Sequence, residues 1–195
     1  MTAVFVKEML DECGLTVKDC DAVCLSSGPG SYTGLRVGSS TAKGLCFGAG
    51  IPLIAVGTLD LLVQQAIEQG VVPEGCRHII PMLDARRMEV YTADYLYADG
   101  KAQKVSEVEP IVVEEGSFAA QLQEGPVLFI GDGAAKCADV LGGPNANFVQ
   151  TNPTASYMMA AAEEAYKQKR FENTAYFEPF YLKEFVATVS RKKLF

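Results

Sequence analysis

The sequence predicts an α/β protein of two lobes, and three observations carry that prediction. Residues 3–69 read as helix, strand, helix, strand, helix, an order that a parallel sheet with right-handed crossovers explains. Residues 76–113 then switch to extended runs, one of them alternating in polarity as a strand with one solvated face does. Between the two patterns lies Gly-Val-Val-Pro-Glu-Gly at 70–75, a breaker-rich link. The first lobe is therefore drawn as residues 1–71 joined by a helix at 154–171, the second as 76–150, and 172–195 as a tail.

With 195 residues, 49% of them hydrophobic, the chain has enough apolar surface for a real core. No apolar run approaches the roughly 18 to 20 residues that span a bilayer. Lys7, Glu8, Asp11 and Glu12 interrupt the first apolar pattern, unlike a signal peptide. The expectation is a cytoplasmic protein with no membrane partner. Its six cysteines form no Cys-x-x-Cys pair, and several sit in apolar segments, so they read as reduced core thiols. A formal charge of −7 disfavours phosphate backbones over most of the surface. The exception is the basic end, Lys183, Arg191, Lys192 and Lys193, the one place where an RNA is expected to be touched.

Taken in order, Val6, Met9, Leu10 and Cys13 follow the i, i+3, i+4, i+7 spacing and predict a helix over 3–13 that Gly14 ends. Val4 and Phe5 widen its stripe, so it is expected to pack on two sides, against its own sheet and against something else. Residues 21–27 read as a buried strand. A helix over 33–48, capped by Thr33 or Ser31, contains Gly34, Gly38 and Gly44. Interior glycine costs about 1 kcal/mol relative to alanine, a cost that close approach of another backbone would explain. Pro52 introduces a strand at 53–57, and Thr58 is expected to cap a helix over 59–69 with Leu59, Leu62, Val63 and Ala66 on one face. In the second lobe, 78–84 and 89–98 form a hairpin through Ala-Arg-Arg-Met. An edge strand at 108–113, a short helix at 115–123, a buried strand at 127–130, a helix at 133–141 and a short strand at 148–150 follow. Thr154 should cap an alanine-rich helix running to about 170, before a tail with aromatic anchors Phe177, Phe180, Tyr181 and Phe185.

The turn Ser-Gly-Pro-Gly-Ser-Tyr-Thr-Gly at 27–34 lies between a strand and a helix, where phosphates bind if free N–H groups converge. Gly34 is followed by Leu35 and Arg36 rather than a Walker lysine, and Pro29 has no N–H to give. No acidic residue closes the next strand for a ribose. Gly28 and Gly30 thus stand as phosphate-loop candidates beside the plainer reading of a tight turn plus helix packing; Gly131 and Gly133 stand on the same terms. No cofactor is expected. His78 is the sole histidine, so neither a paired-histidine metal site nor a triad around Ser27 or Ser31 is expected, and no catalytic residue or metal ligand is assigned. Asp84, Arg86, Arg87 and Glu89 cluster at the hairpin tip, as a site or as a solvated turn of paired charges.

These segments carry a resemblance. Ser-Gly-Pro-Gly-Ser-Tyr-Thr-Gly-Leu-Arg-Val-Gly at 27–38, Thr-Ala-Lys-Gly-Leu at 41–45, Leu-Asp-Ala-Arg-Arg-Met-Glu-Val-Tyr at 83–91 and the Pro-Phe-Tyr-Leu-Lys tail at 179–183 closely resemble the TsaB/YeaZ family. That family is the bacterial subunit of the machinery that installs threonylcarbamoyladenosine beside the anticodon of tRNAs. The resemblance implies a two-lobed ASKHA, RNase-H-like fold with mixed sheets and flanking helices, related to the transferase TsaD and to the M22 glycoprotease group. It implies a non-catalytic scaffold or activator that holds a TsaD-like catalytic subunit through its first two helices, with a TsaE-like ATPase acting through the complex. Alone, it would homodimerise through the same face, and it would meet tRNA only indirectly or through the basic tail. By position, the interface is Val4, Phe5, Glu8, Met9 and Glu12, with Leu35, Arg36, Ser39, Ser40 and Lys43. Family members open with a strand carrying an Asp-Thr-Ser-like stretch and two more strands, whereas this chain opens at the helix. The expectation is a first lobe lacking its three N-terminal strands, through truncation or a misassigned start, with an unpaired strand edge that favours association. The alternative is an enzyme, an M22-type peptidase or an ATP-binding ASKHA protein with the glycine turns as phosphate loops. A dinucleotide-binding oxidoreductase rests on glycine spacing alone.

Overall fold

The computed structural model describes residues 2–182; Lys183, Phe185, Arg191, Lys192 and Lys193, for which the sequence predicts a basic end and an aromatic anchor, fall outside the described residues. Helix α1 (Thr2–Glu12) ends where Gly14 turns left-handed at φ 67° and Leu15 N–H donates to the Leu10 carbonyl at 2.9 Å. Strands β1 (Val23–Ser26) and β2 (Leu53–Val56) pair in parallel with Val23 opposite Leu53, and α2 (Tyr32–Ala49) makes the crossover between them. The Ser31 hydroxyl caps α2 by accepting from Gly34 N–H at 3.4 Å, and Gly50 closes it at φ 72°. Only Leu10 of α1 is buried, and the contacts that hold α1 are made with α2. Among the described residues no strand pairs with the other edge of β1, from which Cys24 and Ser26 direct their backbone groups away from β2.

Helix α3 (Thr58–Glu68) departs from expectation twice. Gly57 is its cap residue, and Thr58 is already helical; the Thr58 hydroxyl instead meets Ser26 Oγ at 2.6 Å, tying the end of β1 to the start of the helix. The helix was also assigned wholly to the first lobe. Its stripe of Leu59, Leu62, Val63 and Ala66 packs with Ile79, Leu83, Tyr95, Leu128 and Ile130 in the core of the second, while Leu61 packs with Val56 and Met158 on the first-lobe side. Between these faces sits Gln65, 1% exposed, donating to Thr151 Oγ1 at 2.9 Å and to the Asn152 carbonyl at 3.2 Å, and accepting from Thr154 N–H at 3.1 Å. A buried amide with all three partners supplied joins the lobes specifically.

The second sheet centres on β3 (His78–Asp84), buried along all but its last residue. On one edge it pairs in parallel with β8 (Val127–Gly131), which pairs in parallel with β9 (Ala146–Gln150). On the other it pairs antiparallel with β4 (Glu89–Thr92) and then with β5 (Tyr95–Ala98), a break in the expected single run. A strand that was not foreseen, β6 (Lys101–Lys104), pairs with β5, and β7 (Glu109–Val112) pairs with β4. Helices α4 (Ala119–Glu124) and α5 (Ala134–Leu141) complete the lobe, with α5 packed on β9 and β3 around Phe129, Ala134, Cys137 and Leu141. The arrangement is a mixed, helix-flanked ASKHA-like sheet. The expected cap at Thr154 does not form: its hydroxyl bonds the Asn152 carbonyl, residues Ala155–Met158 make a 3-10 turn, and α6 spans Met159–Lys167.

Residues 173–182 return to the first lobe as a strap. Lys43 Nζ donates to the carbonyls of Ala175 at 3.3 Å and Phe177 at 3.0 Å, Phe180 N–H donates to the Ser27 carbonyl at 2.7 Å, and the Tyr181 ring lies 4.8 Å from that of Tyr32. Phe177 packs on Leu25, Ala42, Cys46 and Leu53, so the last part of the chain closes the core of the first. A Phe177→Ala variant is expected to lose about 2 kcal/mol, below the usual cost for a fully buried Phe because the ring is partly exposed. Urea unfolding would show this as a lower midpoint with an unchanged slope.

Candidate functional site

Among the described residues, α1 and α2 carry several exposed large apolar side chains. Phe47 is 87% exposed and Phe5 61%, and Val4, Met9, Val37 and Leu15 are exposed with them. Isolated exposed apolar residues are ordinary, but this many on two adjacent helices form a patch of the kind that marks an interaction site. Between the helices, Val6, Leu10, Leu15, Val17 and Leu45 line a crevice, and beside it Gly44 and Gly48 floor a shallow groove. Among the described residues a Cβ built on Gly38, Gly44 or Gly48 meets nothing within 4 Å, so their packing does not require these glycines.

Of the residues assigned to an interface by position, Val4, Phe5, Glu8, Met9 and Glu12 share this exposure on α1, as do Arg36 and Ser40 on α2. Leu35 is half-buried against Gly28 and Gly30. Two assignments need correction. Ser39 is buried on the inner stripe of α2 with its hydroxyl on the Arg36 carbonyl, and Lys43 turns its ammonium onto the strap. Val37 and Phe47 share the exposure without having been assigned by position, although the sequence carried a signal for Phe47. The buried positions of α2 are Ser39, Ala42 and Cys46, at i, i+3 and i+7, and a Phe directly after that stripe has no inward position to fill.

Neither glycine turn is an open phosphate cradle, contrary to the weak candidacy of Gly28, Gly30, Gly131 and Gly133. Gly28, at φ 110°, lies under the strap: a Cβ there would stand 2.6 Å from the Phe180 carbonyl oxygen. Gly30 faces Leu35, and the Gly34 N–H is taken by Ser31. At the second turn a Cβ on Gly131 would fall 2.1 Å from the Met82 carbonyl oxygen, and one on Gly133 would lie 3.1 Å from the Asp84 nitrogen. Gly133 N–H donates to the Met82 carbonyl and Ala135 N–H to Gln150 Oε1, so two of the donors at this turn already have partners.

His78 is buried at the start of β3. Its Nδ1 lies 2.8 Å from Asp94 Oδ1 and its Nε2 3.4 Å from Glu124 Oε2, so both ring nitrogens are engaged by carboxylates and neither is left for a serine. Gln121 Nε2 donates to the second Asp94 oxygen at 2.9 Å. The cluster fastens β3 to α4 and explains why the expected long strand breaks at Ala93 and Asp94. Among the described residues no three His, Cys, Asp or Glu side chains converge as metal ligands. Burial pushes the Cys24 thiol up to about 11 and raises those of Cys46, Cys76 and Cys137, so these sulfurs stay protonated and act as small apolar groups.

The hairpin-tip cluster is an ordered network. Lys136 bonds Asp84 Oδ1 and the Glu89 carbonyl, Arg86 N–H donates to Asp84 Oδ1 at 2.8 Å, and Asp84 N–H donates to Asp132 Oδ1 at 2.8 Å. The Lys136 hydrogen bond, first among its causes, holds the Asp84 carboxyl below its ordinary range. A depressed folded-state pKa contributes stability above the unfolded value, near 4, and loses it as pH falls through the folded value. The stability difference between the parent and Lys136→Met is therefore expected to shrink below about pH 4. Urea midpoints measured from pH 6 to pH 2 check this, and a difference that does not change with pH would count against the pairing.

A family model, that of TsaD, tRNA N6-adenosine threonylcarbamoyltransferase, matches residues 2–190. The chain is 32% identical over 130 residues to the tRNA threonylcarbamoyladenosine biosynthesis protein TsaB of Bacillus subtilis, covering 65% of this chain and 52% of that one. It is 29% identical over 203 residues to TsaB of Haemophilus influenzae, covering 97% of this chain and 80% of the relative. The chain thus spans about half the length of the first relative and four fifths of the second. The solved structure of YeaZ from Pseudomonas aeruginosa superposes with a TM-score of 0.76 at 25% identity, covering 91% of this chain and 80% of that one. Among the described residues no helix is long and apolar enough to cross a membrane.

Proposed function

Because the chain belongs to the TsaD family, in its TsaB/YeaZ branch, we propose that it is a non-catalytic subunit of a tRNA threonylcarbamoyladenosine-forming complex. In this reading it holds a TsaD-like transferase through α1 and α2, with a TsaE-like ATPase joining through the complex. Without that partner the same face would hold a second copy of the chain. The observation that carries the reading is the apolar α1–α2 face centred on Phe47 and Phe5. Burying apolar area at about 25 cal/mol per Å² drives association, and a face of this kind left in water does not repay its exposure. Contact with tRNA would be indirect or through the basic end.

The competing reading is an enzyme, an ATP-binding ASKHA protein or an M22-type peptidase. The strap over Gly28 and the close backbone contact at Gly131 weigh against its phosphate loops. Co-purification of the full chain with the TsaD-type protein of the same cell tests the proposal, and the expected result is a stable complex. Failure to capture it, together with tight calorimetric binding of ATP and magnesium by the isolated chain, would favour the enzyme.

A further inference from the structure

We propose that Arg86 and Arg87, at the tip of the β3–β4 hairpin, form a contact for the phosphodiester backbone of RNA. The inference rests on the reading above, in which the chain works within a tRNA-modifying complex, and assigns it a direct RNA contact away from the basic end.

The tip is held in a conformation its residues disfavour. Strands β3 and β4 continue to Ala85 N–H on the Glu89 carbonyl at 3.0 Å, and Glu89 N–H closes the turn on the Arg86 carbonyl at 3.1 Å. Arg86 and Arg87 both lie in the left-handed region, at φ 71° and 49°. Successive positive φ values are what Asn-Gly or Asp-Gly adopt at little cost and what a side chain with a Cβ resists. In the same lobe, the turn at Asp99 and Gly100 solves the same geometric problem with Asp-Gly, at φ 51° and 74°. At the first tip the chain carries two guanidinium groups instead, and local strain of this sort collects where a side chain has work to do.

The surroundings fix the tip. Lys136 cross-links Asp84 to the Glu89 carbonyl, Asp132 holds the Asp84 backbone, and Val113 N–H holds the Met88 carbonyl at 2.8 Å. Beneath the tip Asp84 pairs with the Lys136 ammonium and lies within the field of Arg86, and Asp132 accepts from the Asp84 N–H. Both arginines are exposed, and among the described residues the Arg87 side chain makes no hydrogen bond or ion pair. A planar guanidinium matches two phosphate oxygens at once, and two of them on a braced turn present that match with little left to order.

The test compares the parent with Arg86→Asn/Arg87→Gly, which supplies the residues the turn prefers and so keeps the hairpin. Each full-length chain is assembled with the TsaD-type transferase and titrated with an unmodified tRNA transcript over a series of salt concentrations. The expected results are an unchanged or higher melting temperature of the free chain, unchanged capture of the transferase, and tRNA affinity about tenfold lower at low salt. The slope of log affinity against log salt should also fall by about one to two, the loss of one or two phosphate contacts. Retained capture with unchanged affinity and slope overturns the proposal alone. Loss of capture in the variant overturns it in favour of a protein contact at the tip. A parent chain that captures no transferase overturns the functional reading and this inference together.

Discussion

Replacing Gly131 by alanine is expected to remove on the order of 4 kcal/mol of stability, a large part of the 5 to 15 kcal/mol that holds a typical domain. Two costs combine. The residue sits at φ 135°, where side chains are rarely tolerated, and its Cβ would stand 2.1 Å from the Met82 carbonyl oxygen and 2.9 Å from the Met82 carbonyl carbon. The obstacle cannot yield cheaply. Met82 is fully buried in β3, which is paired with β4 on one edge and β8 on the other. Gly44→Ala is the matching control: its Cβ meets nothing within 4 Å, and relief of helical glycine should stabilise by about 0.5 to 1 kcal/mol. Guanidinium unfolding of both variants checks the pair, and a Gly131→Ala loss below about 1 kcal/mol would contradict the packing described here.

Gly38→Leu is expected to weaken capture of the TsaD-type transferase at least about a hundredfold, near 2.7 kcal/mol, while the melting temperature of the free chain holds or rises. The added side chain enters space that this chain leaves open, so it collides only with whatever packs on α2. Ser39→Leu makes the informative contrast. Ser39 is 5% exposed and faces inward, so enlarging it should cost stability through overpacking, typically about 1 to 3 kcal/mol. A pull-down beside thermal melts separates the two, and undiminished capture by Gly38→Leu would remove the middle of α2 from the interface.

Much of the fold was legible because its periods are strong. The stripe on α3, the apolar β3 and β8, and the glycine that ends α1 each read correctly from local pattern. Strand β6 was not read, although Asp99-Gly100 is a strong hairpin signal, because Lys101–Lys104 offers no apolar alternation to confirm it. The division of α3 between lobes was illegible for a different reason: a stripe says that a face is buried, not which sheet buries it. At the candidate site, exposure of the first helix could be anticipated from its over-wide stripe. What fills the glycine turns could not, since Gly28 is covered by Phe180 and Gly131 by Met82, neither a neighbour in sequence.

The strap sets an order of events during synthesis. Phe177 and the Lys43 contacts complete the core around Leu25 and Leu53, bridging a sequence separation of 134 residues at Lys43 and Phe177. The second sheet draws its strands from residues 78–150 alone, so its contacts can close while the chain is still being made. Every strand of the second sheet therefore leaves the ribosome before the strap that closes the first-lobe core. Until the strap follows, Leu25, Ala42, Cys46 and Leu53 lack the cover of Phe177.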